Sequence, residues 1–485
     1  MVEIELKFQI AAARRNALLK AIDSKGAETL QLQAKYFDTA DRKLAAQGIA
    51  LRQRREGEQW VQTLKAAGKS HLHRFEHNLE LGETPPDGLD LTAYEAHAEA
   101  AQILNQALGA EQQSLQLQFE TDITRTAKVV QFEDAEIEIS LDVGEIRSGD
   151  AQHQVYEIEF ELKQGSLQSL LNFCYEWVKK YQLWLDVRSK AEFGNLLLQQ
   201  LDVSPATLES AFQFNKKESA DYNLRLLIAN QLQHLLPNIA AISAGVATPE
   251  HVQQAQLALQ HMYLSLSILK DWSAGISVKW LQQLGAFKDY FGHLEHLDHM
   301  QHTLAALLQN PKTAASLDQD ILYGKEKLVN LVKSTQNVQH YLDLLMFSLS
   351  PTGKVQKQDL KQFAQNTLQQ QYKLLQDSLS AVDLNALDSL TQLAQRLNEL
   401  KFSFPLLTSI YDVKNLQKYS KSLQDAQQAA EQYHILMASA SYLQESELEA
   451  SDWFALGWLT AKQEAYAEKL LEATEQFLVS RKFLK

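Results

Sequence analysis

Four short segments of this chain alternate charged and apolar residues with a period of two, and that alternation limits the fold more than any other feature. Glu3, Glu5 and Lys7 share one face of the first segment, with Ile4, Leu6 and Phe8 on the other. Arg52 and Arg54 share a face of the second. In the third, Glu136, Glu138, Ser140 and Asp142 oppose Ile137, Ile139, Leu141 and Val143; in the fourth, Glu157, Glu159, Glu161 and Lys163 oppose Ile158, Phe160 and Leu162. Successive side chains of a strand point to opposite faces, so each row is a geometric face. A single row of this kind reads as a solvated outer surface. Rows of consecutive carboxylates repel one another unless cations lie opposite. Two acidic rows together with an arginine row therefore point to charged faces that converge on a shared interior, as in a closed sheet with a wet lumen.

The charge types then suggest a chemistry. Arginine grips phosphate through paired hydrogen bonds and lysine acts as a point charge. Ionised carboxylates repel phosphate but hold hard divalent cations through oxygen ligands, and such a cation bridges to phosphate oxygens. Acid rows beside base rows match a site for a metal and a polyphosphate.

Beyond this region the pattern changes. Glycine and proline are scarce, 18 and 8 of 485 residues, and apolar residues recur at helical spacing over Asn223 to Leu236, His251 to Leu269, Leu328 to Phe347 and Ala455 to Phe483. We expect an α+β chain with a strand-rich domain over 1–202, a linker over 203–216 and an all-helical domain over 217–485. The single cysteine, Cys174, rules out an internal disulfide and reads as a core filler in a helix. A net charge of −14 argues against nucleic acid as a partner. No apolar run reaches the length of a membrane span, and the opening residues are acidic where a signal peptide is basic, so a cytoplasmic protein is expected. His293, His296, His299 and His302 recur every three residues, which falls short of a full helical turn at each step and reads as a polar helix face.

The motif Glu3-Ile4-Glu5-Leu6-Lys7 resembles the E-x-E-x-K signature of CYTH, or triphosphate tunnel metalloenzyme, domains. Further matches follow in order: Tyr36-Phe37-Asp38-Thr39, Leu51-Arg52-Gln53-Arg54, Thr63-Leu64-Lys65, Arg74-Phe75-Glu76, Thr121-Asp122 through Arg125, Ile137-Glu138-Ile139, Leu141-Asp142-Val143-Gly144-Glu145, Glu157 to Leu162, and Ser189-Lys190-Ala191. The resemblance implies an eight-stranded antiparallel tunnel. It implies phosphate binding by Lys7, Arg52, Arg54, Lys65, Arg74, Arg125 and Lys190, and Mg²⁺ or Mn²⁺ binding by Glu3, Glu5, Glu159 and Glu161, with Glu138, Asp142 and Glu157 as acidic support. Catalysis would then rest on Glu3, Glu5, Lys7, Glu159 and Glu161. The implied activity is metal-dependent hydrolysis of inorganic triphosphate to pyrophosphate and phosphate. The alternatives are an organic triphosphate (thiamine triphosphate hydrolysis, or cyclisation of ATP) and a non-catalytic polyphosphate-binding protein.

The helical region is similar to a CHAD domain, two pseudo-repeated helical bundles. The resemblance is carried by Pro249-Glu250-His251-Val252, by Trp280-Leu281-Gln282-Gln283-Leu284-Gly285-Ala286-Phe287-Lys288-Asp289, and by Leu390-Thr391-Gln392-Leu393 with Leu400-Lys401-Phe402. Positions that are basic in typical CHAD helices are here Gln253, Gln256, Gln260, His261, Tyr263 and Ser267. We therefore expect the domain to have lost polyphosphate binding and to brace the tunnel or dock another partner.

Overall fold

The computed structural model describes residues 2–23, 26–70, 72–109, 115–308, 310–350, 360–383, 387–410, 416–446, 448–450 and 452–479. Eight strands form one antiparallel sheet: β1 (Val2–Gln9), β2 (Glu28–Asp38), β3 (Ile49–Glu56), β4 (Gln59–Ser70), β5 (His73–Gly82), β6 (Gln116–Phe132), β7 (Ala135–Ser148) and β8 (Ala151–Gln164). Their order is β5-β4-β3-β2-β6-β7-β8-β1, and a β5–β1 pairing closes the sheet into a barrel. A two-residue strand, β9 (Trp184–Leu185), adds to β1 at Phe8 and Gln9. The closed sheet read from strand parity is thus present, with eight strands around the ring.

The parity also sorts the core. Ile137, Ile139, Leu141, Ile158 and Phe160 are buried on the outer face, where α3 (Leu167–Tyr181) covers them and Phe160 meets Phe173 and Trp177 edge-on. Cys174 lies in that helix, fully buried. On the opposite side Leu51, Leu64 and Phe75 pack with Tyr94 and with Leu104 of α2 (Ala98–Leu108). Inside the ring, one end is apolar: Leu32, Ala34, Tyr36, Phe119 and Ile123 pack on Phe193 and Leu196 of α4 (Lys190–Gln199). Gly194 lets that helix approach, because a Cβ there would stand 2.3 Å from the Phe119 ring. Ser189 caps α4 through its hydroxyl, which accepts from the Glu192 N–H, and this fixes Lys190 at the inner end of the helix.

The remaining helices are α1 (Arg15–Ile22) and, after residue 219, α5 (Ala220–Ala244), α6 (Pro249–Ile268), α7 (Val278–Leu304), α8 (Pro311–Lys333), α9 (Thr335–Leu349), α10 (Leu360–Ser380), α11 (Leu387–Thr408), α12 (Leu416–Glu445) and α13 (Asp452–Val479). The pattern read as continuous over Leu328 to Phe347 is broken at Ser334, whose hydroxyl accepts from the Asn337 N–H and starts a new helix. Residues 480–483 of the last pattern lie outside the described residues. No described helix is long and apolar enough to cross a membrane.

The chain divides into two compact units, each discontinuous. One comprises Met1–Leu208, Leu232–Gln254 and Val329–Ser350; the other comprises Glu209–Gln231, Ala255–Leu328 and Pro351–Lys485. In the first, Thr207 and Asn238 exchange two hydrogen bonds of 3.1 and 2.9 Å, and His251 Nε2 meets the Ser204 carbonyl at 3.0 Å. The second is helical, with Leu259, Met262, Leu284, Phe287 and Phe291 among its buried residues.

Candidate active site in the tunnel

Strand register lines the acids into rows across β1, β8 and β7. Glu5 pairs with Glu161, which pairs with Glu138; Lys7 pairs with Glu159, which pairs with Ser140. Glu157 pairs with Asp142, which pairs with Arg125 of β6. The first row sets three carboxylates side by side, an arrangement that is unfavourable without a cation. Two side chains offset it in part. Lys163 Nζ lies 2.8 Å from Glu161 and 3.2 Å from Glu138, and Arg74 lies 3.7 Å from Glu5. Even so, burial raises the Glu161 carboxyl above its usual range, and Glu138 and Glu5 add to the shift against Lys163.

The other rows are neutralised from within. Arg125 Nη2 is 2.6 Å from both Asp142 and Glu159. Lys190 Nζ is 2.7 Å from Asp142 and 2.9 Å from Glu159, and it also meets Glu157. Lys7 stands 3.4 Å from Glu157 and donates to the Arg188 carbonyl. Oxygens of Asp142, Glu157 and Glu159 lie within 4.8 Å of one another, so this is the tightest acidic group among the described residues. Lys190 sits against all three of its members. Burial would raise the Glu159 carboxyl, but Lys190, Arg125 and Lys7 outweigh it and hold that carboxyl well below its usual range.

Across the lumen, β3–β5 supply the cations. Lys65 Nζ lies 2.7 Å from Glu3 and 2.8 Å from Glu76. Arg52 donates to the Tyr36 hydroxyl at 3.2 Å, and Arg54 Nε donates to Glu56 at 2.7 Å. Glu3 is pushed up to about 8 from 4.5, chiefly by burial, with Lys65 opposing and Glu5 and Glu76 adding to the shift. A carboxyl that holds its proton more tightly folded than unfolded makes the fold less stable as pH rises from its unfolded value towards its folded one. Here that window runs from 4.5 to about 8. Glu3→Gln should therefore raise the melting temperature of chelator-treated protein near the top of the window and leave it unchanged below its bottom. A lower melting temperature for the variant at the alkaline end would show that Glu3 is not the burdened group.

Strand register gathers the acids named for the site into two electrostatic groups. Glu3, Glu5 and Glu161, with Glu138, form an acid-rich zone of oxygen donors, in which burial raises Glu3 and Glu161; hard divalent cations take such donors. Glu159, Asp142 and Glu157 are already compensated by Lys190, Arg125 and Lys7. Sequence reasoning did not assign Lys163, Glu76 or Tyr36. Strand parity with Glu161 and with Arg74 carried the signal for the first two, whereas Tyr36 lies on β2 and reaches Arg52 only through the strand register.

Residues 1–192 match the CYTH domain family model. A curated relative, the inorganic triphosphatase of Haemophilus influenzae, is 35% identical over 175 residues, which is 35% of this chain and 47% of that protein; the match spans about half of the relative's length. Among solved structures, the CHAD domain from the plant Ricinus communis shares 15% identity, covers 56% of this chain and 96% of its own, and aligns with a TM-score of 0.49. A Hippeastrum protein described as having a dominant triphosphatase activity shares 18% identity over 42% of this chain and 98% of its own, with a TM-score of 0.31. The stretch that matches the CYTH domain model, residues 1–192, is thus the stretch that folds as a closed eight-stranded sheet with charged rows.

Proposed function

We propose that the tunnel hydrolyses inorganic triphosphate to pyrophosphate and phosphate with the help of Mg²⁺ or Mn²⁺. The observation that carries this reading is the row Glu5–Glu161–Glu138 facing the cationic wall of Arg52, Lys65 and Arg74 inside one closed sheet. The curated relative's activity supports the choice of substrate. Glu3, Glu5, Glu159 and Glu161 would hold the cation, with Glu138, Asp142 and Glu157 in support. A divalent ion there neutralises substrate charge, polarises the terminal phosphoryl group and lowers the pKa of a bound water.

The chain's own groups do the rest. Arg52 and Lys65 grip the phosphate chain on one wall, with Arg54 and Arg74 beside them. Lys7, Arg125 and Lys190 meet it from the other, exchanging their carboxylate partners for phosphate oxygens as it enters. The phosphate thereby replaces Glu159 as partner of Arg125 and Lys190, and this frees Glu159 to act as a ligand.

Arg52→Ala should weaken binding of triphosphate to an inactive Glu5→Gln protein by about 1–3 kcal/mol, the scale of a lost charge-assisted bond. Calorimetry reads this directly, and an unchanged affinity would remove Arg52 from the grip. The reaction itself is tested by phosphate release from inorganic triphosphate, ATP, thiamine triphosphate and long-chain polyphosphate, each with and without Mg²⁺. A faster rate on either organic triphosphate would favour that substrate, and no release from any of them would leave a binding protein.

For the helical region we propose a CHAD-like domain over 217–485 that binds polyphosphate weakly. Two of its six candidate positions are already engaged by acids: Gln256 donates to Glu295, and His261 lies 2.5 Å from Glu209. These acids would repel a polyanion rather than draw it in.

A further inference from the structure

Strand β1 is unevenly supported. On one side it is paired with β8 from Glu5 to Gln9. On the other, β5 pairs with it only as far as Ile4 and β9 begins at Phe8. Glu5, Leu6 and Lys7 therefore face a seam between two strands, spanned by single hydrogen bonds at its edges: Glu5 N–H to the Leu72 carbonyl at 3.1 Å and Asp186 N–H to the Lys7 carbonyl at 3.0 Å. A narrow cleft opens at the seam, and Glu5, Lys7 and Arg74 line it together with Leu185, Leu236 and Leu345. Leu236 belongs to α5 and Leu345 to α9, and both are 3% exposed.

The segment 329–350, the end of α8 and α9, is fastened to the same part of the barrel. Gln339 of α9 donates to the Tyr175 carbonyl of α3 at 3.4 Å, and Lys333 Nζ lies 4.8 Å from the ring centre of Trp184 in β9. This segment and 232–254 both fall within the compact unit that holds the sheet.

We infer that Leu236 and Leu345 are positioning residues for Glu5 and Lys7. Their side chains take the place of a missing strand neighbour. They line the cleft along the seam, narrow it against water, and hold in place the short stretch of β1 that carries a candidate metal ligand and a candidate phosphate ligand. Groups that orient a metal ligand without touching the metal commonly control affinity about ten- to hundredfold. A leucine on each of two helices suits this task, since it seals the seam without offering a competing polar atom. The helical segments at 232–254 and 329–350 thereby become parts of the tunnel's working wall. The inference rests on the proposal that Glu5 holds the cation.

The test uses the full chain and Mn²⁺ alone, with free ion followed by electron paramagnetic resonance and no substrate present. Leu236→Ala/Leu345→Ala should weaken Mn²⁺ binding about tenfold, and Leu236→Met/Leu345→Met, which keeps the seam filled, should restore most of it. Leu259→Ala, a core truncation in the other compact unit, supplies a protein with lowered melting temperature whose Mn²⁺ affinity stays at the wild-type value. If the double alanine variant binds Mn²⁺ like wild type, or if Leu259→Ala weakens binding equally, the inference fails. Glu5→Gln separates that failure from a wrong metal assignment. Loss of Mn²⁺ binding in this variant sustains the assignment whatever the leucines do, whereas unchanged binding overturns assignment and inference together.

Discussion

Glu161→Gln should slow phosphate release from inorganic triphosphate by at least about a hundredfold at saturating Mg²⁺, with the melting temperature preserved or raised. Glu161 is the middle member of the row that runs from Glu5 to Glu138. Glutamine keeps its volume and removes the charge that a divalent ion needs, and loss of a metal-activated water is a cost of this order. The fold should tolerate the change because the carboxyl is raised by burial, so its charge is a burden to the metal-free protein. Lys163 keeps Glu138 as a partner at 3.2 Å. Near-normal turnover in Glu161→Gln and in Glu5→Gln would remove the acid row from the reaction.

The second large effect is on stability. Lys190→Ala should lower the free energy of unfolding by about 3–5 kcal/mol, as expected when one partner of a buried ionic group is removed. Its ammonium meets Asp142, Glu157 and Glu159, whose side chains are 0, 2 and 13% exposed. Without it those carboxylates face one another with Arg125 and Lys7 as their remaining ion-pair partners among the described residues. The pH dependence has a definite sign. Burial would raise the Asp142 and Glu159 carboxyls, but Lys190, first among the basic groups around them, helps to hold both below 3.8 and 4.5. Their contribution is complete above those values and is lost as pH falls through the lower folded ones. The deficit of Lys190→Ala should therefore be full near neutrality and shrink in acid. Adding Asp142→Asn should recover part of it, which a double-mutant cycle of denaturant melts would measure. An additive cycle would place Lys190 outside the buried network.

Much of this was legible from the chain alone, for a physical reason. A strand's period of two is a rigid property of the backbone, so Glu3, Glu5 and Lys7, or Glu157, Glu159 and Glu161, had to share a face, and their charges required an unusual interior. Register is a different matter. That Glu5 opposes Glu161, while Glu159 opposes Lys7, depends on turn lengths and side-chain packing around the whole ring. The family resemblance likewise named four acids as equal metal ligands, although Glu159 is tied to Arg125 and Lys190 in this structure. Helical periodicity has the same limit. It marks Leu236 and Leu345 as buried but names no partner, so their place against Glu5 and Lys7 could not be read from spacing.

The closure of the ring through β1 also governs how the chain comes to be folded. The pair Glu5 and Glu161 joins positions 156 residues apart (161 − 5), whereas β6, β7 and β8 form a local meander. At roughly 5–20 residues per second of synthesis, β1 waits on the order of ten seconds or more before its β8 partner exists. During that interval β5 can pair with one edge of β1, but the edge meant for β8 stays bare and open to pairing with another nascent chain. Glu3, Glu5 and Lys7 give it a charged face at every second residue, which disfavours stacking into a dry zipper. The side chains proposed to do the chemistry thus also act as guards of a half-made barrel. A β1 made more apolar would be expected to fail first as aggregate in the cell, before any loss of turnover could be measured.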